Sequence, residues 1–416
     1  MNPYLIGFRC SQCDAYYAPD QISYTCPRDN GNLDAIYDYA RMARDLDPWQ
    51  IAQRADRSLW HYAELLPVHL EAHLPTPLST LGWSPLYRAP ALERALGLRA
   101  VWLKDDSRLP SASFKDRASA MVIARARMMG IKTICVASTG NAAAALAALC
   151  AGSDLRAVIF VPEHTPEGKL AGMLIHGARV YLVHSSYNDA VALAREACQA
   201  FGWYNRSTGY NPYTREGKKT AGFEIAEQLA QANGSRATPF RAPNVVIVPV
   251  GDGNIISGVY KGFYELHALG WIDHLPRFIG VTAALAPSLY RAWQRGDETL
   301  ETILSRTIAG GIGTDHPCDG VMALRAVRKS GGCLIEASDE EMINGVRALA
   351  EQAGVFVEPS CAAAYVGLVK ARQRSLIGPD EEVVLQLTGS GFKDVRSALR
   401  AAGQPIPVRA LADVHP

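Results

Sequence analysis

The sequence predicts an α/β protein of two parallel-sheet domains with a small unit of its own at the N-terminus. Three observations carry that prediction. Between residues 115 and 202, and again from 219 to 389, helical apolar spacing alternates with short apolar runs such as IKTICVAS, RAVIFVP, NVVIVPV and RFIGVTA. Strands that read as continuous apolar runs are buried on both faces, and strands joined through helices run parallel. Several strand-to-helix junctions are glycine-rich, as loops are that bring backbone N–H groups to an anion. Finally, 416 residues suffice for more than one core. The expected division is an N-terminal unit at 1–35, a large α/β domain from 36–116 and 211–416, and a smaller one at 117–210 inserted into it. The site is expected between the two domains.

Composition narrows the function. With 48% hydrophobic residues and a net charge of +1, there is no basic field to attract nucleic acid or a membrane surface. No apolar run is long enough to span a bilayer, and the first thirty residues lack the succession of a signal peptide. The nine cysteines include several single ones in apolar segments, Cys135, Cys150 and Cys198, which fits reduced thiols in a cytoplasmic protein. No repeat of solenoid period and no low-complexity run is present.

In chain order, Cys10 and Cys13 are followed after twelve residues by Cys26 and then Asp29. This is the spacing of two knuckles of a small structural zinc ribbon, with aspartate as the fourth ligand; a remnant that has lost its metal reads equally well. Residues 35–90 read as an arm across the main body, ending in a loop. His69 and His73 stand at helical spacing, but no acidic partner accompanies them, so ordinary histidines are expected. Residues 98–106 (LRAVWLKDD) read as a strand and 116–129 as a helix, which puts Lys115 at the junction. Lysines are mostly solvated, yet the N–H groups at a helix start lower the cost of a neutral amine, the form a nucleophilic lysine requires. Two further loops open helices: residues 138–141 (STGN) and 250–255 (VGDGNI). Both suit an anion. A dinucleotide fingerprint fails at Ile256, where its third glycine belongs, and no acidic residue closes the next strand. A carboxylate repels phosphate, so Asp252 is expected to point away, towards solvent or substrate.

Five boxes in order, SFKDR at 113–117, ASTGN at 137–141, VPVGDGNI at 248–255, VEPS at 357–360 and LTGSGFKD at 387–394, resemble the motif set of threonine synthases. These are fold-type-II pyridoxal-phosphate enzymes, tryptophan synthase β-like in fold, and the resemblance extends to about residue 400. It implies that Lys115 carries pyridoxal phosphate as a Schiff base and moves protons, with Phe114 packed near the cofactor. It implies further that Ser138, Thr139, Gly140 and Asn141 hold the substrate carboxylate, Asn141 also meeting the ring oxygen. Gly251, Asp252, Gly253, Asn254 and Ile255 would cradle the cofactor phosphate, and Thr388 would face the pyridine nitrogen. A hydroxyl there makes a weaker electron sink than an aspartate, which suits elimination and replacement better than transamination.

Some threonine synthases carry a similar N-terminal ribbon with cysteine where this chain has Asp29. On the substrate's phosphate side the family pattern N-S-x-N-P-x-R-x-x-G is met at Asn211, Pro212 and Gly217, but Thr208 and Gly209 replace its first two residues. The arginine has moved to Arg215, and Arg215 with Lys218 are the candidates for that phosphate. The implied reaction converts O-phosphohomoserine and water to threonine and phosphate, in a homodimer. Two alternatives stand beside it: elimination or β-replacement on another amino acid, as in a serine or threonine dehydratase or a cysteate-synthase-like enzyme, and a binding protein that keeps the fold without catalysis. The second would have no need of Lys115, Asn141 and Thr388.

Overall fold

The computed structural model describes residues 2–68, 77–235 and 237–410; His69 and His73 lie outside these. A six-stranded sheet runs in the order Cys333–Ala337, Arg277–Ala283, Val245–Pro249, Glu382–Leu387, Ala100–Asp105, Leu86–Arg88. All its pairings are parallel except that of the short edge strand Leu86–Arg88. Every residue of Val245–Pro249 and Glu382–Leu387 is buried, which is why these read as unbroken apolar runs. A second, wholly parallel sheet runs Arg179–Val183, Arg156–Pro162, Thr133–Ala137, Tyr204–Asn205. Helices Asn141–Cys150, Glu167–Leu174 and Tyr187–Phe201 make its crossovers.

Helix Lys115–Met128 links the two sheets, following Ala100–Asp105 of the first and preceding Thr133–Ala137 of the second. Helix Tyr213–Lys218 packs on it through Gly217, where a Cβ would come within 2.0 Å of the Arg117 carbonyl oxygen. Only glycine allows that approach, and it brings the next residue, Lys218, in beside Lys115. The strands Ala100–Asp105, Val245–Pro249, Glu382–Leu387 and Thr133–Ala137 all end just before the loops singled out in the sequence. Open parallel sheets bind ligands at such carboxyl ends.

The N-terminal unit is an antiparallel sheet of Tyr16–Tyr17, Leu5–Cys10 and Leu33–Tyr37. It is fastened to the body by polar contacts: Tyr37 Oη donates to Glu216 Oε2 (2.6 Å), Lys261 Nζ to Asp34 Oδ1 (2.7 Å), and Asn32 Nδ2 to Asp319 Oδ1 (2.6 Å). The structure adds elements that the sequence pattern did not reveal: Leu86–Arg88, Tyr204–Asn205, Tyr213–Lys218, Ser288–Arg295, Gly320–Lys329 and Cys333–Ala337. The shortest of these pair over two or three residues, too few to establish a period.

Candidate active site

Three helix starts meet at Lys115, and none carries a side-chain cap: Lys115–Met128, Asn141–Cys150 and Asn254–Ala268. By contrast, Tyr187–Phe201 and Asp339–Ala353 are closed by complete serine capping boxes, Ser186 with Asp189 and Ser338 with Glu341. An uncapped helix start leaves N–H groups and the positive end of the dipole for an anion. The strongest opposite charges acting on the Lys115 ammonium come from Asp252, in the loop before the third helix, and Glu358. Glu358 Oε1 in turn accepts from Nδ2 of Asn141, the first residue of the second helix, at 2.9 Å.

The backbone around Lys115 is pinned on both sides. The N–H of Phe114 donates to the carbonyl of Thr388 at 2.9 Å, and Ser113 bridges Gly389, so the lysine is tied to the end of the strand Glu382–Leu387. Phe114 is fully buried beneath it. Two residues on, Arg117 pairs with Asp106 (2.8 Å) and Glu224 (2.6 Å), and Asp116 accepts from the Ser111 hydroxyl and N–H. Lys115 itself is half-buried, and its Nζ makes no hydrogen bond among the described residues. Burial pushes its pKa below the ordinary lysine value and Arg206 adds to that, while Asp252 opposes. The result is an amine that gives up its proton readily.

The 250–255 loop is held open by glycine. Gly253 has φ +90°, and a Cβ there would come within 2.7 Å of the Asp319 carbonyl oxygen. Asn254 then stands between Lys218, whose Nζ donates to its Oδ1 at 2.6 Å, and Asp319, whose Oδ2 accepts from its Nδ2 at 2.9 Å. The pKa of Lys218 lies well below the ordinary value, through burial first and then through Lys115 and Arg206. Asp252 directs Oδ1 to the Thr314 hydroxyl (3.1 Å) and makes no hydrogen bond to the loop's own amides. On the opposite side, Ser138, Thr139 and Gly140 are half-buried, and a Cβ on Gly140 would meet nothing within 4 Å, so this loop borders open space. Thr388 is 7% exposed, with its N–H on Cys361 Sγ.

Arg215 lies elsewhere than the sequence suggested. Its buried guanidinium donates to Asp319 Oδ1 (2.6 Å), Asp34 Oδ1 (3.1 Å) and the Leu33 carbonyl (3.4 Å), so it fastens the N-terminal unit and has its charge matched there. Those partners lie more than a hundred residues away in sequence, beyond the reach of any local pattern. Beside Lys218, a second cation borders Lys115, Arg206, which the sequence did not single out: its Nη2 donates to the Lys115 carbonyl at 3.3 Å. Glu358 and Lys393 join it. Burial raises the Glu358 carboxyl and lowers the Lys393 amine, and each charge opposes the shift of the other.

In the N-terminal unit the Sγ atoms of Cys10, Cys13 and Cys26 and a carboxylate oxygen of Asp29 all lie within 4.8 Å of one another. Cys13 and Cys26 are 3.7 Å apart at sulfur. Tetrahedral zinc, with bonds of about 2.3 Å, separates its sulfurs by about 3.8 Å. The Gly31 N–H holds the Asp29 carboxyl down at about 2, so it is ionised as a ligand must be.

Comparison with known proteins bears on this geometry. The pyridoxal-phosphate dependent enzyme family matches residues 78–389. A protein named threonine synthase from Methanosarcina acetivorans is 35% identical over 407 residues, 97% of this chain and 96% of its own. One of the same name from Methanocaldococcus jannaschii is 35% identical, covering 96% of each chain. Among solved structures, the processed threonine deaminase isoform 2 of Solanum lycopersicum superposes with a TM-score of 0.64 at 22% identity, over 76% of this chain and 86% of its own. Maize serine racemase gives 0.62 at 19% identity, over 76% and 92%. At those identities the structures speak for the fold alone.

Proposed function

The chain belongs to the pyridoxal-phosphate-dependent enzymes, and among them to the threonine synthase family, and on that premise we propose that it converts O-phosphohomoserine and water to threonine and phosphate. The observation that carries this reading is the 35% identity to named threonine synthases over nearly the whole chain. The donor set fits the cofactor. The uncapped start of Asn254–Ala268 and the buried Lys218 beside it suit its phosphate, the Thr388 hydroxyl its ring nitrogen, and the free amine of Lys115 its aldehyde. When bound, pyridoxal phosphate supplies the conjugated ring that draws electrons from the bonds at the substrate's α-carbon.

The chain's own residues do the rest. In this reading Lys115 Nζ, made readily neutral by burial, removes protons from the α- and β-carbons; phosphate departs from the γ-carbon with its bonding pair as the β-carbon's electrons close a β,γ double bond, and a proton is then returned to the γ-carbon. Water then gives its hydroxyl to the β-carbon, and the α-carbon regains its proton. The amides and hydroxyls of residues 138–141 orient the substrate carboxylate, and Glu358 fixes the Asn141 amide. Structural zinc at Cys10, Cys13, Cys26 and Asp29 is part of the same proposal, supported by their spacing. So are a cleft between domains at 36–116 with 211–416 and at 117–210, a homodimer and a cytoplasmic location. Among the described residues no helix is long and apolar enough to cross a membrane. The test is phosphate release from O-phosphohomoserine by the holoenzyme, beside ammonia release from threonine and serine. Phosphate with matching threonine is expected; ammonia without phosphate would make it a dehydratase.

A further inference from the structure

Asp319 stands at the N-cap position of helix Gly320–Lys329, where an aspartate ordinarily accepts from the backbone of its own first turn, yet it makes no such bond. Its buried carboxylate is committed elsewhere. Oδ1 accepts from Asn32 Nδ2 (2.6 Å) and Arg215 Nη2 (2.6 Å). Oδ2 accepts from Asn254 Nδ2 (2.9 Å), Ser257 Oγ (2.6 Å) and Arg215 Nε (3.3 Å). One oxygen therefore meets Asn32 of the N-terminal unit and the other the start of helix Asn254–Ala268, while Arg215 grips both and reaches Asp34 besides. The backbone adds to this: the Asp319 N–H donates to the Asp252 carbonyl at 2.8 Å, and the Asp319 carbonyl lies where a Cβ on Gly253 would come within 2.7 Å of it. A single residue thus holds the 250–255 loop by main chain and side chain together. Asn254 passes that hold on. With Nδ2 committed to Asp319, its Oδ1 is turned to accept from Lys218 Nζ at 2.6 Å.

We propose that Asp319 is a positioning residue through which the N-terminal unit sets the cofactor-phosphate cradle. Asn32, whose side-chain amide reaches no further than Cys318 and Asp319, then governs how tightly that phosphate is held. This rests on the reading that the start of Asn254–Ala268, with Lys218, takes the cofactor phosphate. An anion is held most tightly where the amides and the ammonium that receive it are already fixed in place. Every side-chain partner of Asp319 is a donor, so only a carboxylate satisfies them all; an amide there would turn its own NH2 group against one of them.

The experiment titrates pyridoxal 5′-phosphate, and pyridoxal without the phosphate, onto the full chain freed of cofactor, and records the phosphorus resonance of the holoenzyme. Asn32→Ala is expected to weaken affinity for the phosphorylated ligand by roughly twofold to thirtyfold, the range over which residues outside a site modulate binding. Affinity for pyridoxal should hold, and the phosphorus resonance should shift. Asp319→Asn should act in the same direction and more strongly. Equal weakening of both ligands, or a lowered melting temperature with neither affinity changed, is the mark of a contact that only fastens the N-terminal unit, and overturns the proposal. Should Asp319→Asn fail to fold, Asn32→Ala, at a half-buried position, decides. A wild-type preference for the phosphorylated ligand that Asn32→Ala leaves intact refutes the proposal alone; a wild-type chain that binds both ligands equally refutes the cradle itself, and the proposal with it.

Discussion

Two sets of buried or half-buried cations in this protein are treated in opposite ways. In the scaffold, Lys104, Arg117, Arg215, Lys219 and Lys261 each lie within 2.8 Å of at least one carboxylate, and most have two. Around the start of helix Lys115–Met128, Lys115, Arg206 and Lys218 hydrogen-bond to neutral groups or to nothing, and no carboxylate completes an ion pair with them among the described residues. Breaking a buried pair is strongly destabilising, so the first set is structural. The second set forms no such pair and feels carboxylates such as Asp252 only at longer range, which leaves it for a phosphate or an aldehyde that arrives later.

The largest effect should fall on activity. Lys115→Ala is expected to lower threonine formation by at least about 10²–10⁴-fold, the contribution of a positioned proton-transfer group. Chemical denaturation of the same variant without cofactor should show stability unchanged or raised, because an unmatched cation has gone. A large loss of stability would break the comparison. Arg117→Met should do the reverse, costing about 3–5 kcal/mol in urea denaturation by stranding Asp106 and Glu224. Lys218→Met should sharpen it further: cofactor affinity measured by equilibrium dialysis falls, while the cofactor-free protein is no less stable.

pH separates the two sets by sign. Glu224 is held down to about 2 from an ordinary 4.5, chiefly by Arg117 and Lys104 against its burial. Its depressed pKa means stability that is present above 4.5 and lost as pH falls towards 2. Lys115 and Lys218 also have depressed pKa values, but as bases: the unfolded chain binds protons that the folded one gives up. Stability of the cofactor-free protein should therefore rise with pH up to the ordinary lysine range near about 10.4, and the rise should flatten when bound anion restores the charge. Denaturation series from pH 2 to 10, with and without cofactor, check both arms. The smallest expected effect is on the ribbon: a chelator should lower the melting temperature of a zinc-loaded sample without abolishing activity, since the Cys10–Asp29 cluster touches no site residue directly.

How much of this was legible in the sequence follows from the range of each interaction. The Lys115 box and the loops at 138–141 and 250–255 are local: a strand end, a few small residues and a helix start, all within a few positions. The parallel strands announced themselves because burial on both faces leaves them uniformly apolar. Arg215 is taken up by the N-terminal unit because a guanidinium's task is set by its partners, and Asp319 stands 104 residues from it. Residues 203–219 show no period, and the two-residue strand and six-residue helix within them form only against the rest of the fold. The strand Cys333–Ala337 was missed because Glu336 interrupts its apolar run; as an edge strand it leaves that side chain half-buried.

The account turns on one amine among many. Borohydride reduction of the holoenzyme, followed by peptide mapping by mass spectrometry, locates the pyridoxyl group by residue. The prediction is a single labelled peptide carrying the mass on Lys115; label on Lys104, Lys219 or Lys261, the lysines already matched by carboxylates, would contradict it.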